Sequence, residues 1–290
     1  MPNVVVSIDL PYLLLLPAGE YPTPGEGGSV RLEETSAPVV GGGAEAKTVA
    51  STTFVAHDET DAITLTRMRH QQADRLLRRV NHLLRWYRVA TGQATIIELT
   101  RAQASPFHFT VEGTSATWGG TAPLEYEPAS LPLPNKGSRI AFGEAVRQGL
   151  GAKSDPDVAG LNLLDAEHAL SVGRFREAVL LCWAAIDSTF VRKFKDLVDR
   201  QLSNEWSGGR EFLKGFDFGL RHKMTTGLRL LAGRSLYAEP DGFWDDLSTS
   251  YDLRNRIIHE GQIAHEDDAR LAINLVKKVI NIVTSLPGQI

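Results

Sequence analysis

At Pro156 the chain changes character, and that change restricts its folds more than any other feature. Ahead of it, strand-like and helix-like segments alternate. Beyond it, strand signals vanish and apolar residues recur every three or four positions, the spacing of amphipathic helices. This spacing predicts helices over 157–172, 175–201, 210–232, 240–259 and 266–285, with a loop over 203–209. Gly173, Gly233 and Gly261 stand at the breaks, where a left-handed residue commonly ends a helix. A chain of 290 residues is long enough for two ordinary domains. The expected fold class is therefore α+β: a mixed strand and helix region over 1–150, then an all-α helical bundle over 156–290, with the boundary in 150–156.

The N-terminal region is less regular. The apolar run at 4–16 lacks a basic leader, carries Asp9 and is broken by Pro11 and Pro17, so it reads as one or two buried strands around Pro11 rather than a secretion signal. Residues 17–50 are rich in Gly and Pro, among them Gly25, Gly27, Gly28 and Gly41 to Gly43, and read as a mobile loop that buries little. Short strands are expected over 51–57, 94–99 and 107–112, an irregular connection over 120–138, and a short helix over 139–149. Residues 61–90 form a long helix, with Leu76, Val80, Leu83, Leu84 and Tyr87 on one stripe and Gly92 just past its end. Its other side is basic, and Arg75, Arg78 and Arg79 are candidate contacts for an RNA backbone, set against the plainer reading of a solvated charged face. Trp86 and Tyr87 can stack on bases or serve as core anchors; the second reading is favoured.

Composition narrows the setting. With 31 basic and 35 acidic side chains the net charge is −4, so no global basic field marks a nucleic-acid binder, although a local patch would suffice. The single cysteine, Cys182, cannot form an internal disulfide and points to a reducing, cytoplasmic setting. No apolar run reaches the ~18 to 20 residues of a membrane span, so no membrane partner is expected.

The segment that carries chemistry is Tyr251-Asp252-Leu253-Arg254-Asn255-Arg256-Ile257-Ile258-His259-Glu260-Gly261. On an ideal helix Asn255 and His259 share a face, one turn apart, whereas Arg254 lies about 140° round from His259. One helix does not converge all three; a bent Arg side chain, a loosened turn near Gly261 or a second copy would be needed. The residue types suit RNA cleavage. RNA brings its own nucleophile, the 2′-hydroxyl. Histidine titrates near neutrality and can move protons, and an always-charged guanidinium can hold the phosphate as negative charge develops. Asn255 can orient either group. The plainer alternative ties Arg254 to Asp187, Asp245 or Asp252 as a helix-helix link and leaves His259 as a C-terminal cation favoured by the helix dipole. Asp187 is read as a supporting acid that positions the guanidinium, or else as a purely structural partner. Arg256 is a weak RNA contact or a solvated charge, and Glu260 is left without a role.

Arginine, a polar residue and histidine after four intervening positions resemble the R-x4-6-H signature of HEPN nucleases. The neighbourhood is similar too: the Gly173-Arg174-Phe175-Arg176-Glu177-Ala178 helix start, the Ala184-Ala185-Ile186-Asp187 interior and an amphipathic closing helix. The resemblance covers roughly 157–285, is nearest the Apea-like group, and leaves the N-terminal half untouched. It implies a HEPN-like bundle that dimerises so that two motifs face one cleft. It also implies metal-independent endoribonuclease activity without a cofactor, leaving a 2′,3′-cyclic phosphate and a 5′-hydroxyl. Catalytic roles fall to Arg254, Asn255 and His259. Such domains serve toxin, antiviral-defence and RNA-processing systems, and the N-terminal region would restrain or target the nuclease, with a protein regulator as a further partner. The competing expectation is a non-catalytic module that dimerises or binds nucleotide or RNA.

Other patterns fail on their own terms. His259-Glu260 does not open an H-E-x-x-H zinc site, because Ile263 holds the second histidine position. His265-Glu266-Asp267-Asp268 reads as the acidic first turn of a helix. Gly149-Leu150-Gly151-Ala152-Lys153-Ser154 lacks the glycine before lysine that a phosphate loop requires. Cys182, beside Trp183 in an apolar run, reads as a buried inert thiol. The 157–190 stretch resembles one tetratricopeptide unit, but no second copy follows.

Overall fold

A computed structural model describes residues 3–23, 28–38, 44–55, 62–104, 106–111, 114–118, 136–152, 155–201 and 219–286. The chain divides into two compact units, Met1–Pro156 and Asp157–Ile290. The fold class is α+β with a helical C-terminal region.

The N-terminal unit is built on a six-stranded antiparallel sheet of β1 (Asn3–Asp9), β2 (Gly19–Thr23), β3 (Gly28–Pro38), β4 (Ala44–Val55), β5 (Phe107–Val111) and β6 (Thr114–Trp118), in the order β2-β3-β4-β1-β5-β6. β1 is central: Val6 pairs with Thr52 on one side and Phe109 on the other. Val4, Val6 and Ile8 alternate into the core, while Val5 and Ser7 line a groove on the other side of the sheet with Ser51 and Thr53. α1 (Ala62–Thr91) contributes Leu76, Val80, Leu83, Leu84 and Tyr87 to the same core. Burying each of these large apolar side chains is worth about 1.5–3 kcal/mol. α1 ends at Gly92, whose N–H closes on the Arg88 carbonyl at 2.8 Å and whose φ of 69° then turns the chain out of the helix. α2 (Lys136–Gly151) packs on α1 and β2. A Cβ on Gly149 would lie 2.2 Å from the Trp86 ring, so that glycine serves close packing, and it sits within α2 rather than in a phosphate loop.

Several local expectations are corrected. The 17–50 stretch expected to be a mobile loop carries β2, β3 and most of β4. Its apolar residues are few, but Tyr21, Val30, Leu32 and Ala50 all fall on the buried face. Gly28 does not loosen the stretch either. It makes room for Arg79, whose guanidinium would lie 2.6 Å from a Cβ there. Residues 94–99 form no strand. Ile96 and Leu99 are buried, and the Asn81 carboxamide holds the segment, accepting from the Leu99 N–H at 2.8 Å and donating to the Leu99 carbonyl at 2.9 Å. The β-branched run there reflects burial, not pairing. β1 ends before Pro11, and residues 10–16 run inward without a partner strand, with the Leu14 N–H donating to Thr48 Oγ1 at 2.9 Å. β4 begins well before residue 51 and α2 before residue 139, whereas 119–135 lies outside the described residues.

The C-terminal unit is helical: α3 (Val158–Ser171), α4 (Phe175–Gln201), α5 (220–232), α6 (Phe243–Glu260) and α7 (Glu266–Ser285), with a 3-10 turn at Leu236–Ala238. The expected start of a helix at 210 and the loop at 203–209 lie outside the described residues. α5 comprises Leu220–His222, a π-helical turn at Lys223–Gly227 and Leu228–Ala232. Gly227 sits in the π turn because a Cβ would meet the Phe194 ring at 2.7 Å. α4 is the hub and packs on α3, α6 and α7 around Trp183, Ile186, Phe190, Leu253, Ile257 and Val279. Local signals fix the ends. Asp157 caps α3 by accepting from the Ala159 N–H at 3.2 Å, and Asp268 accepts from the His265 N–H at 2.8 Å to open α7. Among the described residues no helix is long and apolar enough to cross a membrane.

Candidate functional site

Arg254, Asn255 and His259 all lie on α6. The helix is anchored by Phe243, Leu247, Ser250, Leu253 and Ile257, all buried. Against α4, the Trp183 indole N–H donates to Ser250 Oγ at 3.2 Å in a buried setting, and the Tyr251 ring meets Trp183 edge-on at 5.0 Å. These contacts set the rotation of α6. Nine positions separate Ser250 from His259, about 180° of helix, so His259 projects away from the core and is exposed. Arg254 and Asn255 are half-buried.

Arg254 Nη1 donates to Asn255 Oδ1 at 2.9 Å. The carboxamide oxygen is the only side-chain atom of Asn255 that can accept from a guanidinium, so this bond also fixes the amide's orientation. Asn255 therefore orients Arg254, and shares with His259 a face rather than a hydrogen bond. None of the three expected carboxylate partners reaches Arg254. Asp252 pairs with Arg221 at 3.3 Å, and that guanidinium also lies 5.3 Å above the Tyr251 ring. Asp187 is exposed on α4, and among the described residues no hydrogen bond or ion pair joins it, or Asp245, to Arg254. Arg256 and Glu260 are exposed.

The turn that carries His259 is held from two sides. Gly261 adopts φ 71°, and the N–H groups of Gly261 and Gln262 both turn onto the Arg256 carbonyl. Arg176, in the first turn of α4, donates from Nη2 to the Ile257 carbonyl at 3.1 Å. The helical start 173–178 was legible as a motif in the sequence, but nothing in it ties Arg176 to α6.

The basic side of α1 is largely spent on the fold. Arg79 donates to Thr52 Oγ1 at 2.7 Å, Arg85 donates twice to the Glu98 carboxylate at 2.7 and 2.9 Å, and Arg88 is 2% exposed. Arg75 and Arg78 are exposed. Arg78, Arg79, His82 and Arg85 line a groove of about 370 Å³ that they share with the acids Glu98 and Asp155. Burial pushes the His82 imidazole below its ordinary pKa, against the opposing pull of Asp155 at 3.6 Å. Trp86 and Tyr87 belong to the core: the Tyr87 hydroxyl accepts from the Leu15 N–H at 3.2 Å and contacts Gln93 Oε1 at 3.0 Å.

Cys182 is buried, and burial pushes its thiol up to about 12, which leaves no thiolate for nucleophilic work near neutrality. Among the described residues no group of three or more His, Cys, Asp or Glu side chains is arranged to hold a metal ion. No protein-family model, no curated protein and no solved structure matches the chain.

Proposed function

We propose that the C-terminal unit is a metal-independent endoribonuclease of the HEPN type, active as a homodimer on RNA. The observation that carries this reading is the state of Arg254: a guanidinium with a neutral hydrogen-bond partner and, among the described residues, no carboxylate on it, on the same helix as an exposed histidine. A guanidinium neutralised by an acid is a structural tie. One oriented by an amide keeps its charge for an incoming anion.

In this reading Arg254 binds the scissile phosphate, and Asn255 holds the guanidinium fork in place. His259 takes the proton of the 2′-hydroxyl as that oxygen attacks phosphorus, or returns a proton to the departing 5′-oxygen. The P–O5′ bond breaks as the P–O2′ bond forms, leaving a 2′,3′-cyclic phosphate and a 5′-hydroxyl. A second copy supplies the arm that one helix cannot bring round. Arg256 adds a secondary phosphate contact, and the N-terminal unit targets or restrains the nuclease, in a toxin or antiviral-defence setting.

A rival reading draws on the gap between Asn255 and His259: without that hydrogen bond, the same charged face binds nucleotide or RNA and does not turn it over. Incubating wild type and His259→Ala with mixed RNA in EDTA separates the two. Cleavage by wild type that is lost in the variant supports the nuclease. RNA binding without cleavage by either supports the binding module.

A further inference from the structure

Arg176 stands outside the motif, yet it is bonded to the turn that carries His259. The reason lies in how α6 ends. In a regular helix the Ile257 carbonyl would accept from the N–H of Gly261, four residues on. Here Gly261 is left-handed, and its N–H, with that of Gln262, turns onto Arg256 instead. The Ile257 carbonyl thus loses its intrahelical donor, two residues before His259. Arg176 fills the gap, its Nη2 lying 3.1 Å from that oxygen. The nearby Glu177 carboxylate does not compete for Arg176, because it is already paired with Arg174 at 3.0 Å. A guanidinium suits the position because it is permanently charged and complements the negative end of a helix.

We propose that Arg176 is a positioning residue of the candidate site: by binding the Ile257 carbonyl it fixes the last turn of α6 and with it the direction of the His259 ring. The proposal deepens the nuclease reading and rests on it for its catalytic consequence, but its structural half stands alone. Among the described residues the Arg176 side chain is the one bonded to the Ile257 carbonyl.

The test compares wild type, Arg176→Ala and Arg176→Lys in the full chain. The ring resonance of His259 is assigned by its loss in His259→Ala, and steady-state cleavage of a short single-stranded RNA is measured alongside. Arg176→Ala should move the His259 resonance toward that of an unstructured histidine and lower kcat about tenfold with KM unchanged, the signature of a misplaced group. Arg176→Lys, which keeps a cationic donor, should recover most of both. Unchanged far-UV circular dichroism and unfolding midpoint would show that the fold is intact. A His259 resonance in Arg176→Ala identical to wild type overturns the proposal. So does a resonance shift that Arg176→Lys fails to correct. If the wild type itself cleaves no RNA, the nuclease reading falls, and the resonance comparison still decides whether Arg176 positions His259.

Discussion

Three arginines of α1 and two at the candidate site are used in opposite ways, although Arg174, Arg192, Arg221, Arg234 and Arg270 of the C-terminal unit pair with acids. In the N-terminal unit Arg79 is wedged over Gly28 and bonded to Thr52, Arg85 grips Glu98 with two bonds, and Arg88 is buried. In the C-terminal unit Arg254 is oriented by an amide and, among the described residues, bears no acid, and Arg176 spends one N–H on a carbonyl. The difference teaches that a count of basic residues on a helix says little about binding. What matters is whether each charge is already answered inside the fold. α1 looks more basic in the sequence, and α6 has the less compensated charge.

The largest expected effect that sharpens this contrast is at His259. His259→Ala should lower RNA cleavage at least about 100-fold, the usual contribution of a general acid or base. It should shift the urea midpoint little, because the side chain is exposed. A smaller effect is expected at the end of α6. Gly261 has open space around it but a φ of 71°, so Gly261→Ala meets backbone strain alone, about 1–2 kcal/mol, seen as a lower unfolding midpoint together with reduced cleavage.

Smaller still is the cost of breaking the Arg85–Glu98 pair. Both side chains are more than a third exposed, so Arg85→Gln should destabilise by no more than about 1 kcal/mol and lose part of that difference at high salt. The smallest effect is a pH slope at His82. Its folded-state pKa lies below the ordinary 6.5, so the unfolded chain binds the proton more readily. The stability it contributes is present above pH 6.5 and is lost as pH falls through the lower folded value. Urea titrations from pH 7 to pH 5 should therefore show a shallower decline in His82→Gln than in wild type. An equal slope in both would show that His82 carries none of the pH dependence.

The helical half was legible because its signals are local. The apolar period, Gly173 and Gly261 at the breaks, and Asp268 at the start of α7 each act within a few residues. The strands of 17–50 were hidden because their burial depends on pairing across the sheet: Ala50 and Leu32 become core residues only when β3 lies beside β4. The same limit applies to the candidate site. The shared face of Asn255 and His259 follows from helix geometry, but the Arg254–Asn255 bond depends on a long side chain folding onto its neighbour. Arg176 reaches Ile257 from another helix, 81 positions earlier in the chain, which no spacing along the sequence encodes.

The most direct measurement sets Arg254→Ala beside Arg79→Ala, scoring each for urea unfolding and for RNA cleavage per folded molecule. Arg254→Ala should lose cleavage with its unfolding midpoint unmoved, while Arg79→Ala, which removes the donor to the buried Thr52 hydroxyl and leaves only its bond to the Ser29 carbonyl, should lose about 1–3 kcal/mol and keep its cleavage. Equal loss of stability in both, or equal loss of cleavage in both, would contradict the division between answered and unanswered charge.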